Sequence, residues 1–129
     1  MKINSTYILD LNNKEMPSLV VKCINNTIAL KLNIELLDVT AGEHTYSIKP
    51  IAHSDKLSDI VIPPDVKKTF SGDDILKSGN NFITLSFPIL TVAGFFDETK
   101  NSEFNAFNSI DFNIKIDNLE KVHTVFISQ

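Results

Sequence analysis

Thr27-Ile28-Ala29-Leu30-Lys31-Leu32-Asn33-Ile34-Glu35-Leu36 places an aliphatic residue at every second position, with Ala29, Lys31, Asn33 and Glu35 between them. Successive side chains on an extended strand point to opposite faces, so this spacing collects Ile28, Leu30, Leu32, Ile34 and Leu36 on one side and leaves the other mostly polar. On a helix the same five would scatter around the circumference. The stretch reads as a half-buried β-strand, and the rest of the chain reads outward from it.

Upstream, Ser18 to Ile24 is Val-rich and apolar, and Asn25-Asn26 turns it into the central strand, which predicts a hairpin. Thr6 to Leu11 alternates as a first strand. Downstream, His44 to Ile51 alternates through Tyr46 and Ile48, and Pro50, which has no N–H to give a ladder, predicts an edge strand or a strand end. Leu57 to Ile62 and Val66 to Phe70 are short strand candidates. Ser71 to Gly79 carries the one helical signal: Ser71 as N-cap, Asp73 and Asp74 in the first turn, Gly79 to stop it. Phe82 to Val92 and Ile110 to Ile116 alternate again, Asp97 to Asn108 reads as a loop or short helix, and Val122 to Ile127, apolar on both faces apart from His123 and Thr124, predicts a strand inside a sheet. About seven to nine short strands with no long helix predict an all-β fold, a single-domain antiparallel sandwich of Ig-like or jelly-roll-like type over residues 1–129, with a closed barrel as the alternative.

Composition bounds the partners. Of 129 residues 43 % are hydrophobic and 22 % charged, which is the balance of a folded domain, and the net charge is −4. All twelve basic residues are Lys. Without Arg the chain lacks the bidentate fork that reads phosphates and guanine edges, and its lysines form no basic stripe, so nucleic acid is not an expected partner. The longest apolar stretch, Phe82 to Phe96, is interrupted by Thr84, Ser86, Pro88 and Thr91 and is too short for a membrane span. Met1 to Leu11 shows no leader pattern, and a single cysteine, Cys23, permits no internal disulfide. A reducing cytoplasmic setting is expected, with secretion after leader removal as the alternative.

No catalytic set emerges. His44 and His53, with Glu43 and Asp55, carry the residue types of a hydrolytic zinc site, yet their spacing sets no two ligands on one face, and His123 is remote in sequence. Cys23 sits in an apolar strand, where a thiol behaves as a small buried hydrophobe rather than a nucleophile. Asp73, Asp74, Asp97, Glu98, Glu103 and Asp38 would be calcium ligands only if they converged, and no Asp-x-Asp-x-Asp-Gly run is present. The expectation is a non-enzymatic chain with no metal and no cofactor.

The interruption of alternation from Ile89 to Phe96 is the feature that points to function. Ile89, Leu90, Val92, Ala93, Phe95 and Phe96 would load both faces of one strand, and Phe104 and Phe107 follow close behind. An uncovered apolar face of this kind marks an interface, so Phe95, Phe96, Phe104, Phe107, Ile89 and Leu90 are the candidate contacts with a protein partner or a second copy of the chain, with pairing through an exposed sheet edge as the other route. Ser71 to Leu85, a helical turn with Leu-x-x-Gly-x-Asn leading into an alternating strand, resembles a connection in jelly-roll carbohydrate-binding domains. The resemblance implies a sandwich architecture and sugar stacking on exposed Trp or Tyr. The chain offers no Trp and only Tyr7 and Tyr46, so small-ligand or carbohydrate binding stands as the alternative function.

Overall fold

In the computed structural model, which describes residues 1–13, 16–24, 27–54, 58–62, 66–91 and 107–128, the Ile28–Leu37 stretch is a central strand, β4. It lies between β1 (Lys2–Asp10) and β8 (Ile83–Thr91), antiparallel to each, and β2 (Met16–Pro17) borders β1, so the first sheet runs β2-β1-β4-β8. Registers Leu32↔Ile8 and Leu32↔Phe87 line up apolar rows across the three long strands. The polar row of β4 is less exposed than alternation alone predicts. Asn33 is buried between its neighbours because Ser86 Oγ donates to its Oδ1 at 2.5 Å, and Glu35 Oε2 accepts from Ser5 Oγ at 2.7 Å.

The second sheet is built on β5 (Glu43–Ser54), β9 (Phe107–Ile116) and β10 (Leu119–Ser128), and runs β3-β10-β9-β5-β6 with β7 (Val66–Ser71) also pairing β5. Here β3 is Val20–Lys22 and β6 is Ile60–Val61. Ile48, Ile110, Phe112, Ile114, Ile116 and Val125 from this sheet join Ile8, Leu30, Leu32, Ile34 and Leu36 from the first in one hydrophobic core. Burying such side chains is the main stabilising term, at roughly 1.5–3 kcal/mol each. The expected helix is α1 (Gly72–Lys77), with the Ser71 side chain accepting from Asp74 N and Gly79 at φ 86° behind its end. No helix among the described residues is long and apolar enough to cross a membrane.

Three expectations are corrected. Ser18 to Ile24 and β4 form no extended ladder: among the described residues only Ile24 and Thr27 pair, through two backbone hydrogen bonds, and β3 instead pairs in parallel with β10. The reason is that β4 has both flanks occupied, by β1 and β8, so the sheets are not purely antiparallel. Pro50 does not mark an edge either, since β5 pairs with β9 from Tyr46 to Ser54. It is tolerated because it falls where β7 pairing ends at Ile48 and β6 pairing begins at Ile51; its carbonyl accepts from Ile62 N at 3.0 Å, so the missing N–H faces that interrupted flank. Cys23 is half-buried rather than enclosed, and its N–H donates to Ser128 O.

Candidate functional site

The residues expected to dock a partner separate. Phe95, Phe96 and Phe104 lie outside the described residues, as do Asp97, Glu98, Glu103 and Asp55. Phe107 opens β9, and Leu90 falls in β8 opposite Ala29. Ile89 is a core residue, 5 % exposed, because its register with Leu30 turns it to the inner face of the first sheet.

Among the described residues one set of exposed apolar side chains lies on the outer face of the second sheet at its β3–β10 end, while Phe82, Val61, Ile24 and Leu76 are also exposed. Val125 is fully buried, so Val122, Thr124 and Phe126 point the other way; Val122 is 56 % and Phe126 55 % exposed. Val20, directly opposite Phe126, is 42 % exposed, and Leu19 beside it is 73 % exposed. By the same alternation Lys22, opposite Ser128, and Glu120, opposite Lys115, stand at the two ends of this row.

Side chains block the free flank of β3. Phe126 N donates to Leu19 O and Cys23 N to Ser128 O, so the odd-numbered backbone groups serve β10 and those of Val20 and Lys22 face outward. Ser18 Oγ accepts from Val20 N and donates to Val20 O. Asp10 Oδ2 accepts from Lys22 N at 2.9 Å, and Asn12 Nδ2 donates to Lys22 O at 3.2 Å. Backbone pairing by another strand is therefore closed at this edge, and only side chains are left to make contacts.

A polar row borders the patch. Thr124 Oγ1 donates to Asp111 Oδ1 at 2.6 Å, Asp111 Oδ2 lies 2.7 Å from His53 Nε2, and His53 Nδ1 lies 2.9 Å from Asp59 Oδ1. Two carboxylates on two ring nitrogens fit an imidazolium. The Asp59 hydrogen bond, with help from Asp111 and against partial burial, holds His53 above its usual value. The Thr124 hydroxyl donates to Asp111, whose other oxygen holds His53.

The other two histidines point inward. His44 is 6 % exposed, stacks near Phe70 at 5.1 Å, and links Thr40 O (2.8 Å from Nε2) to Asp117 Oδ2 (2.6 Å from Nδ1). The Thr40 carbonyl first, and Asp117 second, raise its pKa. Burial pushes the Asp117 carboxyl up, but the bonds from His44 and Thr45 N outweigh it and hold the group low. His44 points into the core side of β5 and His53, by odd parity, to the outer face, so the two never share a ligand. His123 turns inward, with Nδ1 2.6 Å from Thr6 Oγ1 and Nε2 buried without a hydrogen-bond partner among the described residues; burial lowers its pKa. Asp73 Oδ1 is occupied by Gly42 N at 3.1 Å. Among the described residues no three His, Cys, Asp or Glu side chains converge on a point that would hold a metal ion.

The sequence signal for the patch was present in Val122 to Ile127, whose two apolar faces are one face of core and one of open surface. The His44–Asp117 and His53–Asp111 contacts had no such signal, because they join residues 73 and 58 positions apart. Comparison with protein-family models and with curated proteins found no match.

Proposed function

We propose that the two sheets face one another as a β-sandwich, and that the chain is a non-enzymatic assembly module whose partner is a second copy of itself. The carrying observation is the row Val20, Val122 and Phe126, large apolar side chains set together on one outer face, with Leu19 at its flank. The sandwich reading rests on a single core that draws inward rows from each sheet. The choice of a second copy rests on charge. Glu120 stands at one end of the row and Lys22 at the other, so a two-fold contact with the strands antiparallel sets each Glu120 against the Lys22 of the other copy. With the β3 flank closed, the contact is made by side chains and not by a continuous sheet.

Sedimentation velocity tests the reading. Phe126→Ser should weaken self-association by tenfold or more, as truncation of a central aromatic anchor does, while leaving the melting temperature close to that of the parent. Lys22→Glu and Glu120→Lys should each weaken it, and the double reversal should restore it. A parent chain that stays monomeric at high protein concentration, or a double reversal no better than the single ones, would contradict the proposal.

A further inference from the structure

At the other end of the second sheet, where β7 and β5 meet β8, the last described strand of the first sheet, a cleft of about 310 Å³ opens between the two sheets. Its walls are Tyr46, Ile48, Val66, Phe87 and Ile89, with the Tyr46 and Phe87 rings 5.3 Å apart at a tilt of 58°. Such a volume lies at the lower end of the roughly 300–1,000 Å³ that small-molecule sites occupy, and aromatic and aliphatic walls with few polar groups are their usual lining.

The polar groups present are specific. Register pairs Val66 with Ile48, Lys68 with Tyr46 and Phe70 with His44, so Lys68 falls on the inward row of β7, between two apolar residues, at the rim of this cleft. Among the described residues no carboxylate pairs with it, although the chain as a whole carries a net charge of −4. Ser86 is already committed to Asn33, and Tyr46 Oη makes no hydrogen bond with a described residue. A lone ammonium at the rim of an apolar slot complements an amphipathic anion.

We propose that this cleft is a binding site for a small amphipathic carboxylate of the medium-chain fatty acid type, its alkyl body between Tyr46, Phe87, Ile48 and Ile89 and its head group on Lys68. The site is remote from the Val20–Phe126 row and independent of self-association.

Calorimetric titration of the whole chain with hexanoate, octanoate, octanol and octylamine tests it. Octanoate should bind in one-to-one ratio, each methylene beyond hexanoate should tighten binding by roughly fourfold, as burial of a CH₂ does, and octylamine should not bind. Lys68→Glu should weaken octanoate by tenfold or more with octanol little affected. Val66→Phe, which narrows the slot without touching the charge, should weaken octanoate and octanol alike. An inward lysine on an outer strand also deters edge pairing, and if that is its only role octanoate will not bind and Lys68→Glu will change nothing in the titration. That outcome, or equal binding of octanoate and octylamine, overturns the proposal; the oligomeric state of the parent bears on neither.

Discussion

Replacing Asp10 by Ala should loosen the C-terminal end of β3 from the first sheet while its pairing with β10 remains. Asp10 is 2 % exposed, and its two oxygens accept from Asn12 N at 3.0 Å and Lys22 N at 2.9 Å. The first bond closes the turn after β1, and the second is a tether from the first sheet to the edge strand of the second. A hydrogen bond to a charged acceptor contributes about 1.5–3 kcal/mol, and the two amides recover part of this from water once the carboxylate is gone, so a loss of ~2–4 kcal/mol is expected. Out of a total stability of about 5–15 kcal/mol this is large. Asp10→Asn keeps one carbonyl acceptor and should cost ~1–2 kcal/mol. Urea denaturation gives the totals, and amide hydrogen exchange gives the location: protection of Lys22 and Cys23 should fall first, while that of β4 follows only the global loss. An Asp10→Ala chain within ~0.5 kcal/mol of the parent, with Lys22 N still protected, would refute the tether, since a lost bond of this kind cannot be so cheap.

Gly72 opens α1 against the turn before β5, and a Cβ there would stand 1.9 Å from Thr40 O, so Gly72→Ala should destabilise by ~1–3 kcal/mol in a urea melt, whereas Gly79→Ala, strained only by its positive φ, should cost less. Phe112 is fully buried at the centre of the core, and Phe112→Ala should lose ~3–5 kcal/mol in the same measurement. The His44–Asp117 link should carry a pH signature. A raised His44 pKa means a contribution that is complete below the ordinary imidazole value near 6.5 and is lost as pH rises through the folded-state value; the lowered Asp117 pKa means one that is lost as pH falls through its own. The stability difference between parent and His44→Gln should therefore be greatest between about pH 4 and 6.5 and shrink toward pH 8.5, a comparison in which His53 and His123 cancel.

Much of the fold was readable because alternation is a local signal. The rows of β4 and β9 could be assigned from single stretches, and Ser71, Asp73, Asp74 and Gly79 mark α1 by its caps. The placement of β3 was not readable, because its strand partner is the last strand of the chain and its tether is one carboxylate twelve residues away. Pro50 misled for a related reason: whether a missing N–H matters depends on which neighbour ends beside it, and the change from β7 to β6 has no local sequence mark. Aromatic density drew attention to Phe95, Phe96 and Phe104, while the described patch is assembled from Val20, Val122 and Phe126 across a parallel pairing. The inward setting of Lys68 emerges only from its register with Tyr46.

The native mass of the parent chain, measured by sedimentation equilibrium over a wide range of concentration, bears most directly on the assembly reading. A reversible dimer that Phe126→Ser and Lys22→Glu each shift toward the monomer is the predicted result. A single monomeric species throughout, identical for parent and variants, would show that the Val20–Phe126 row does not join copies of this chain.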